Sequence, residues 1–134
     1  MLKLLVVDDE LVILQGILKI LREGNTPFTH IESAQDAFEA LSLLADFKPD
    51  VIITDITMPE MNGLEATGAI RAVEREWATH TPIVGVTAHA LKGDRERCLG
   101  AGMDDYLPKP ISPRALQEKI EKWVRAAPPR MVLQ

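Results

Sequence analysis

Three apolar runs in this chain end on groups able to bind metal or phosphate: Leu4-Leu5-Val6-Val7 on Asp8 and Asp9, Val51-Ile52-Ile53-Thr54 on Asp55, and Ile83-Val84-Gly85-Val86 on Thr87. Lys109 stands further along, between Pro108 and Pro110. If these runs are parallel strands of one open sheet, their polar ends share the edge where such sheets bind ligands, outside the carboxyl ends of the strands. Three carboxylates, a hydroxyl and an ammonium would then meet. That donor set suits a hard cation and a phosphoryl group.

A carboxylate at a strand end can equally cap the following helix, accepting orphan backbone N–H groups at the positive end of its dipole, and Asp9 alone fits that role. Three acids together fit it less well. Neighbouring carboxylates ~4 to 5 Å apart repel by ~3 to 4 kcal/mol per pair at an effective dielectric near 20, so something positive should accompany them. Mg²⁺ prefers oxygen ligands and commonly binds one or two carboxylates together with a substrate phosphate. Cysteine or paired-histidine ligand spacings for zinc or copper are missing. By itself Lys109 reads as a solvated turn residue, but at this edge its ammonium can meet a carboxylate or phosphate oxygens as a point charge. A cis Lys109–Pro110 bond is open to it. Thr87 is either a β-branched packing residue or a hydroxyl donor to phosphate. His89 has no acid or cysteine partner in sequence and reads as a loop residue, and Tyr106 as half-buried filler or a mobile aromatic.

Strand-like and helix-like patterns alternate five times to position these groups, which predicts a parallel sheet covered on both faces. The first strand covers about residues 2 to 8, and Leu14, Ile17, Leu18 and Leu21 form the apolar stripe of a helix ending near Gly24. Residues 28 to 31 make a weaker second strand. Ser33 with Asp36 resembles a capping box before a helix whose face is Ala37, Leu41 and Leu44. The third strand, 51 to 54, delivers Asp55, and Asn62 caps a third helix with Ala66, Ile70, Val73 and Trp77 at helical spacing. Pro82 opens the fourth strand, a less regular helix lies around 90 to 100, and residues 103 to 107 make the fifth strand. Ser112 and Pro113 start a last helix that turns Leu116, Ile120 and Trp123 inward, and Pro128-Pro129 stops it. The expected organisation is one domain over 1–127, with 128–134 as a tail or the start of a linker.

At 134 residues the chain can bury roughly two thirds of its unfolded surface in a single domain. Its 15 basic and 20 acidic residues leave a net charge of -5, which provides no general attraction for nucleic acid. Cys98, the single cysteine, excludes an internal disulfide and fits a reducing compartment, with the cytoplasm as the default. No apolar stretch reaches the ~18 residues of a membrane span, and no signal-peptide pattern opens the chain.

Across roughly residues 2 to 126 the chain resembles the receiver domain of two-component response regulators. The residues that carry the resemblance are Val6-Val7-Asp8-Asp9-Glu10, the run from Asp55 through Thr57 and Pro59 to Asn62-Gly63, Val86-Thr87-Ala88, and Lys109-Pro110. Each fragment is weak alone, and together in this order they are specific. The resemblance implies a flavodoxin-like fold with a five-stranded parallel sheet of order 2-1-3-4-5 and five helices. It implies that Asp55 accepts a phosphoryl group from a histidine kinase or histidine phosphotransfer domain, with Mg²⁺ as cofactor. Asp9, Asp55 and the Thr57 carbonyl would hold the metal, and Asp8 would act through water. Lys109 and the Thr87-Ala88 segment would contact the phosphoryl oxygens, Thr87 and Tyr106 would form the switch, and Thr57 and His89 would tune dephosphorylation. Asn62 stands where many members have Asp, a change in a helix cap.

A flavodoxin-type cofactor protein would need a phosphate-cradling loop where this chain has Asp8-Asp9-Glu10. Haloacid-dehalogenase-like phosphatases have an acid two places after the nucleophile, where this chain has Thr57. An interaction module without phosphorylation would be expected to have lost an acid or the lysine. The stretch Gly102-Met103-Asp104-Asp105-Tyr106-Leu107 and Thr87-Ala88-His89-Ala90 look like receivers of hybrid histidine kinases, which favours a receiver belonging to such a kinase over a stand-alone regulator. A homodimer through the last helices is compatible with either.

Overall fold

Successive strand residues serve opposite faces of the sheet, and both faces are buried. Leu4, Val6, Val51, Ile53, Val84, Val86 and Leu107 belong to one core cluster, and Leu5, Val7, Ile52 and Ile83 to the other. This two-sided burial is why these strands read as continuous apolar runs. The computed structural model describes residues 2–24, 26–58, 60–77, 79–88 and 93–126. Its elements are β1 (Lys3–Val7), α1 (Leu11–Glu23), β2 (His30–Ala34), α2 (Ala37–Phe47), β3 (Val51–Asp55), α3 (Gly63–Trp77), β4 (Ile83–Thr87), α4 (Asp94–Gly100), β5 (Asp105–Pro108) and α5 (Pro113–Ala126).

The five strands are parallel in the order β2-β1-β3-β4-β5, as expected. Leu14, Ile17 and Leu21 of α1 join Leu116 and Ile120 of α5 on one face. Ala37, Ala40 and Leu44 of α2, Ala66 and Ile70 of α3 and Cys98 of α4 cover the other. Among the described residues no helix is long and apolar enough to cross a membrane.

Several local expectations shift. The second strand is His30–Ala34, so Ser33 lies inside it and the cap moves to Asp36, whose Oδ1 accepts from the Glu39 N–H at 2.7 Å. Glu39 returns the bond to the Gln35 N–H, so sheet pairing displaces the box by three residues from the Ser33 to Asp36 reading. Asn62 and Ser112 do cap α3 and α5, accepting from the Glu65 and Ala115 N–H groups. Within the described residues α4 begins at Asp94 and the fifth strand at Asp105, later than their patterns indicated.

Helix α3 departs most from its apolar pattern. Trp77 is 38% exposed, whereas Glu74 is 3% exposed. Glu74 is buried because it is paired: Arg71 and the Thr81 N–H both donate to it, and Arg71 also reaches Asp104 at 2.7 Å and the Gly102 carbonyl. A fully satisfied ion network replaces an apolar contact at this position.

Asp105 performs a similar task on α5. The Trp123 indole N–H and the Lys119 ammonium both donate to its buried carboxylate at 2.9 Å, with Lys122 at 3.5 Å. Burial pushes the acid up, but the bonds from Trp123, Lys119 and the Tyr106 N–H outweigh it and leave its pKa lowered. A lowered carboxylate stabilises the fold above the ordinary carboxylate range and loses that contribution as pH falls through its folded value. Asp105→Asn is therefore expected to cost about 1–3 kcal/mol at neutral pH. In denaturant titrations, the gap from the native chain narrows below about pH 4.

Candidate functional site

Strand register assembles the site. Val7 lies opposite Thr54 across β1 and β3, which brings the next residues, Asp8 and Asp55, side by side. Asp55 lies opposite Val86 across β3 and β4, so Thr87 follows one residue further, opposite Pro108 of β5. The Lys109 N–H donates to the Thr87 carbonyl at 2.7 Å and extends this pairing to the lysine. The Lys109–Pro110 peptide is cis.

Ligand oxygens of Asp8, Asp9, Glu10 and Asp55 lie within 4.8 Å of one another. Lys109 Nζ enters the cluster 3.3 Å from Asp55 Oδ1, 3.8 Å from Glu10 Oε1 and 3.9 Å from Asp8 Oδ2. The three acids named from strand ends are therefore together with the lysine, and Glu10 is an addition. Its sequence signal was adjacency to two acids, which by itself also describes a solvated turn.

One ammonium does not neutralise this cluster. Burial, then the charge of Asp8, raise the Asp55 carboxyl to about 6 against the pull of Lys109 and the Thr57 N–H. Burial also raises Asp8, opposed by its bond from the Glu10 N–H and by Lys109. Oδ2 of Asp8 and Oδ1 of Asp9 are buried with no hydrogen-bond partner among the described residues. Buried acceptors without donors are rare, and hard oxygens clustered under excess negative charge fit a divalent cation such as Mg²⁺.

The other expected site residues divide. Thr57 sits at the exposed mouth, and its N–H meets the Asp55 carboxylate. Thr87 is buried and its hydroxyl donates to Asp94 Oδ2 at 3.1 Å. Ala88 is exposed beside it, and Tyr106 is half-buried against the core. His89 lies outside the described residues.

Gly63 also has a part in the site that spacing did not reveal. A Cβ there would stand 2.3 Å from the Asp55 carbonyl oxygen and 2.9 Å from the Ile56 Cα. The Gly63 N–H donates to the Ile56 carbonyl at 2.8 Å, so α3 begins directly against the end of β3. Only glycine permits this approach.

The family model of the response regulator receiver domain matches residues 4–121. The chain belongs to this family. A hybrid signal transduction histidine kinase I from Dictyostelium discoideum is 46% identical over 99 residues, 70% of this chain and 6% of that kinase. The chain thus spans a small part of that relative. The receiver domain of sensor histidine kinase PA1611 from Pseudomonas aeruginosa PAO1, solved with a magnesium ion in its active site cleft, is 34% identical, with a TM-score of 0.78 over 92% of this chain and 98% of that one. The Saccharomyces cerevisiae complex of Ypd1 with the Ssk1 receiver domain gives a TM-score of 0.84 at 25% identity, over 97% of this chain and 94% of that one. The receiver is a domain of two-component signalling.

Two outcomes follow from the site. Asp55 has a raised folded pKa, so its contribution favours folding at low pH and is lost as pH rises through about 6. In metal-free receiver, Asp55→Asn is expected to raise stability by ~2 kcal/mol above pH 7 and to lose that advantage towards pH 4, read by thermal melts. Gly63→Ala is expected to cost about 2 kcal/mol or more, because its Cβ meets backbone rather than a flexible side chain.

Proposed function

We propose that the receiver takes a phosphoryl group from a phosphohistidine donor onto Asp55 and relays it as a signal. The observation supporting this most directly is the meeting of Asp8, Asp9 and Asp55 oxygens with Lys109 at one sheet edge. An Asp55 carboxylate oxygen forms the new P–O bond while the donor's P–N bond breaks, and that bond's electron pair returns to the imidazole. Such transfer requires positioning and charge neutralisation more than acid-base chemistry. Asp8, Asp9, Asp55 and the Thr57 carbonyl would hold Mg²⁺, Asp8 acting through water. The cation would supply Lewis-acid neutralisation of phosphoryl charge. Lys109 binds a phosphoryl oxygen with its ammonium, and the Thr87-Ala88 segment contacts another.

In receivers generally the same site aligns a water that hydrolyses the acyl phosphate, and by that resemblance Thr57 and His89 are the two positions that tune its rate. Transfer and hydrolysis are the extent of its self-catalysed chemistry. The partner is a histidine kinase or a histidine phosphotransfer domain, as in the Ypd1 and Ssk1 pair. Similarity to the Dictyostelium kinase favours a place in a hybrid histidine kinase, with 1–127 as the receiver domain, while the tail or linker start expected at 128–134 lies outside the described residues.

Incubation with acetyl phosphate, with and without Mg²⁺, followed by intact mass measurement tests the reading. A Mg²⁺-dependent gain of one phosphoryl group is expected, and Asp55→Asn abolishes it. Equal labelling of the variant would move the acceptor elsewhere, and no labelling from acetyl phosphate or a phosphorylated histidine donor would leave a binding module.

A further inference from the structure

The Thr87 hydroxyl has one proton to donate, and in the unmodified receiver it goes towards α4. Thr87 Oγ1 lies 3.1 Å from Asp94 Oδ2, with both residues buried. The other Asp94 oxygen lies 3.5 Å from Arg97 Nη1 on the same helix, whose side chain is largely exposed. Ile56, Leu64 and Cys98 line a small cavity with this pair, and the burial of Thr87 and Asp94 leaves little solvent to compete for either group. Gly93 precedes the acid with a φ of 106°, in the left-handed region that favours glycine.

We propose that Asp94 competes with the phosphoryl group for the Thr87 hydroxyl and thereby holds α4 in the unphosphorylated arrangement. The inference rests on the reading of Asp55 as acceptor. When Thr87 donates to a phosphoryl oxygen, its proton leaves Asp94, and a buried carboxylate loses a charge-assisted bond. Arg97, paired with the other Asp94 oxygen on the same helix, then carries more of the charge from its exposed position. The loss falls on the first turn of α4, so occupation of Asp55 loosens or shifts that helix. By linkage, the bond to Asp94 lowers the affinity of the site for a phosphoryl group by the same factor.

Two measurements test this. In metal-free receiver, Thr87→Val and Asp94→Ala should each speed amide exchange over residues 94–100, and the double variant should exchange no faster than the faster single one. With beryllofluoride and Mg²⁺ as the phosphoryl mimic, Asp94→Ala should bind about tenfold more tightly than the native chain. Asp94→Asn, which keeps an acceptor, should fall between them. A purely structural role for Asp94 predicts weaker or equal binding. Additive exchange effects overturn the Thr87 to Asp94 tie, and unchanged or weakened binding by Asp94→Ala overturns the competition. Failure of the native chain to bind beryllofluoride overturns the reading of Asp55 and the competition with it, while the exchange cycle still decides whether the tie exists.

Discussion

Carboxylates crowded into a buried strand edge beside one ammonium are the constraint around which the receiver is organised. Desolvation by burial, and then repulsion from Asp8, oppose ionising Asp55, and they outweigh the opposing pull of Lys109. The arrangement persists because each member is fixed by backbone it cannot leave. Asp8 and Asp55 follow paired residues of central strands, and Lys109 is held by its N–H bond to the Thr87 carbonyl. Gly63 lets the third helix close against the same strand end. Misfit between charge and surroundings is thus held in the fold and is relieved by a cation entering the pocket.

Away from that edge, a few polar anchors attach helices to the sheet. Asp105 ties α5 to β5 through Trp123 and Lys119, and Asp94 ties the start of α4 to β4 through Thr87. Tyr106 lies next to the first anchor and packs against the core that α4 helps to cover. A face held by separable bonds can occupy two arrangements, whereas a uniformly apolar interface has fewer discrete alternatives. The Arg71, Glu74 and Asp104 network, near the start of β4, is by contrast satisfied on every side shown and includes no residue of the acid cluster.

The parallel sheet and its two buried faces were legible because the central strands are buried on two sides and leave long apolar runs, whereas the strand order was implied by the resemblance to receivers. Asp8, Asp9, Asp55 and Lys109 were legible for a related reason: polar groups at the ends of such runs have one edge to occupy. Helix faces were less secure. Val73 and Trp77 kept helical spacing, yet Glu74 is the residue buried, because Arg71 and Thr81 satisfy it from positions that periodicity does not report. Ser33 looked like a cap until pairing with Val6 drew it into β2.

The order of residues by itself determined the alternation of elements, the acids and lysine at the sheet edge, and the family to which they point. The first two follow from local periodicity and from the few positions a short polar group can occupy after an apolar strand, and the family from the resemblance that the ordered fragments around those residues carry. Tertiary structure decided which carboxylate oxygens lack donors among the described residues, how far the Asp55 carboxyl is raised, why position 63 must be glycine, and that Thr87 donates to Asp94. Each of these depends on distances between residues remote in sequence or joined through a turn, and on the water excluded when they meet. Neither quantity is contained in spacing along a chain.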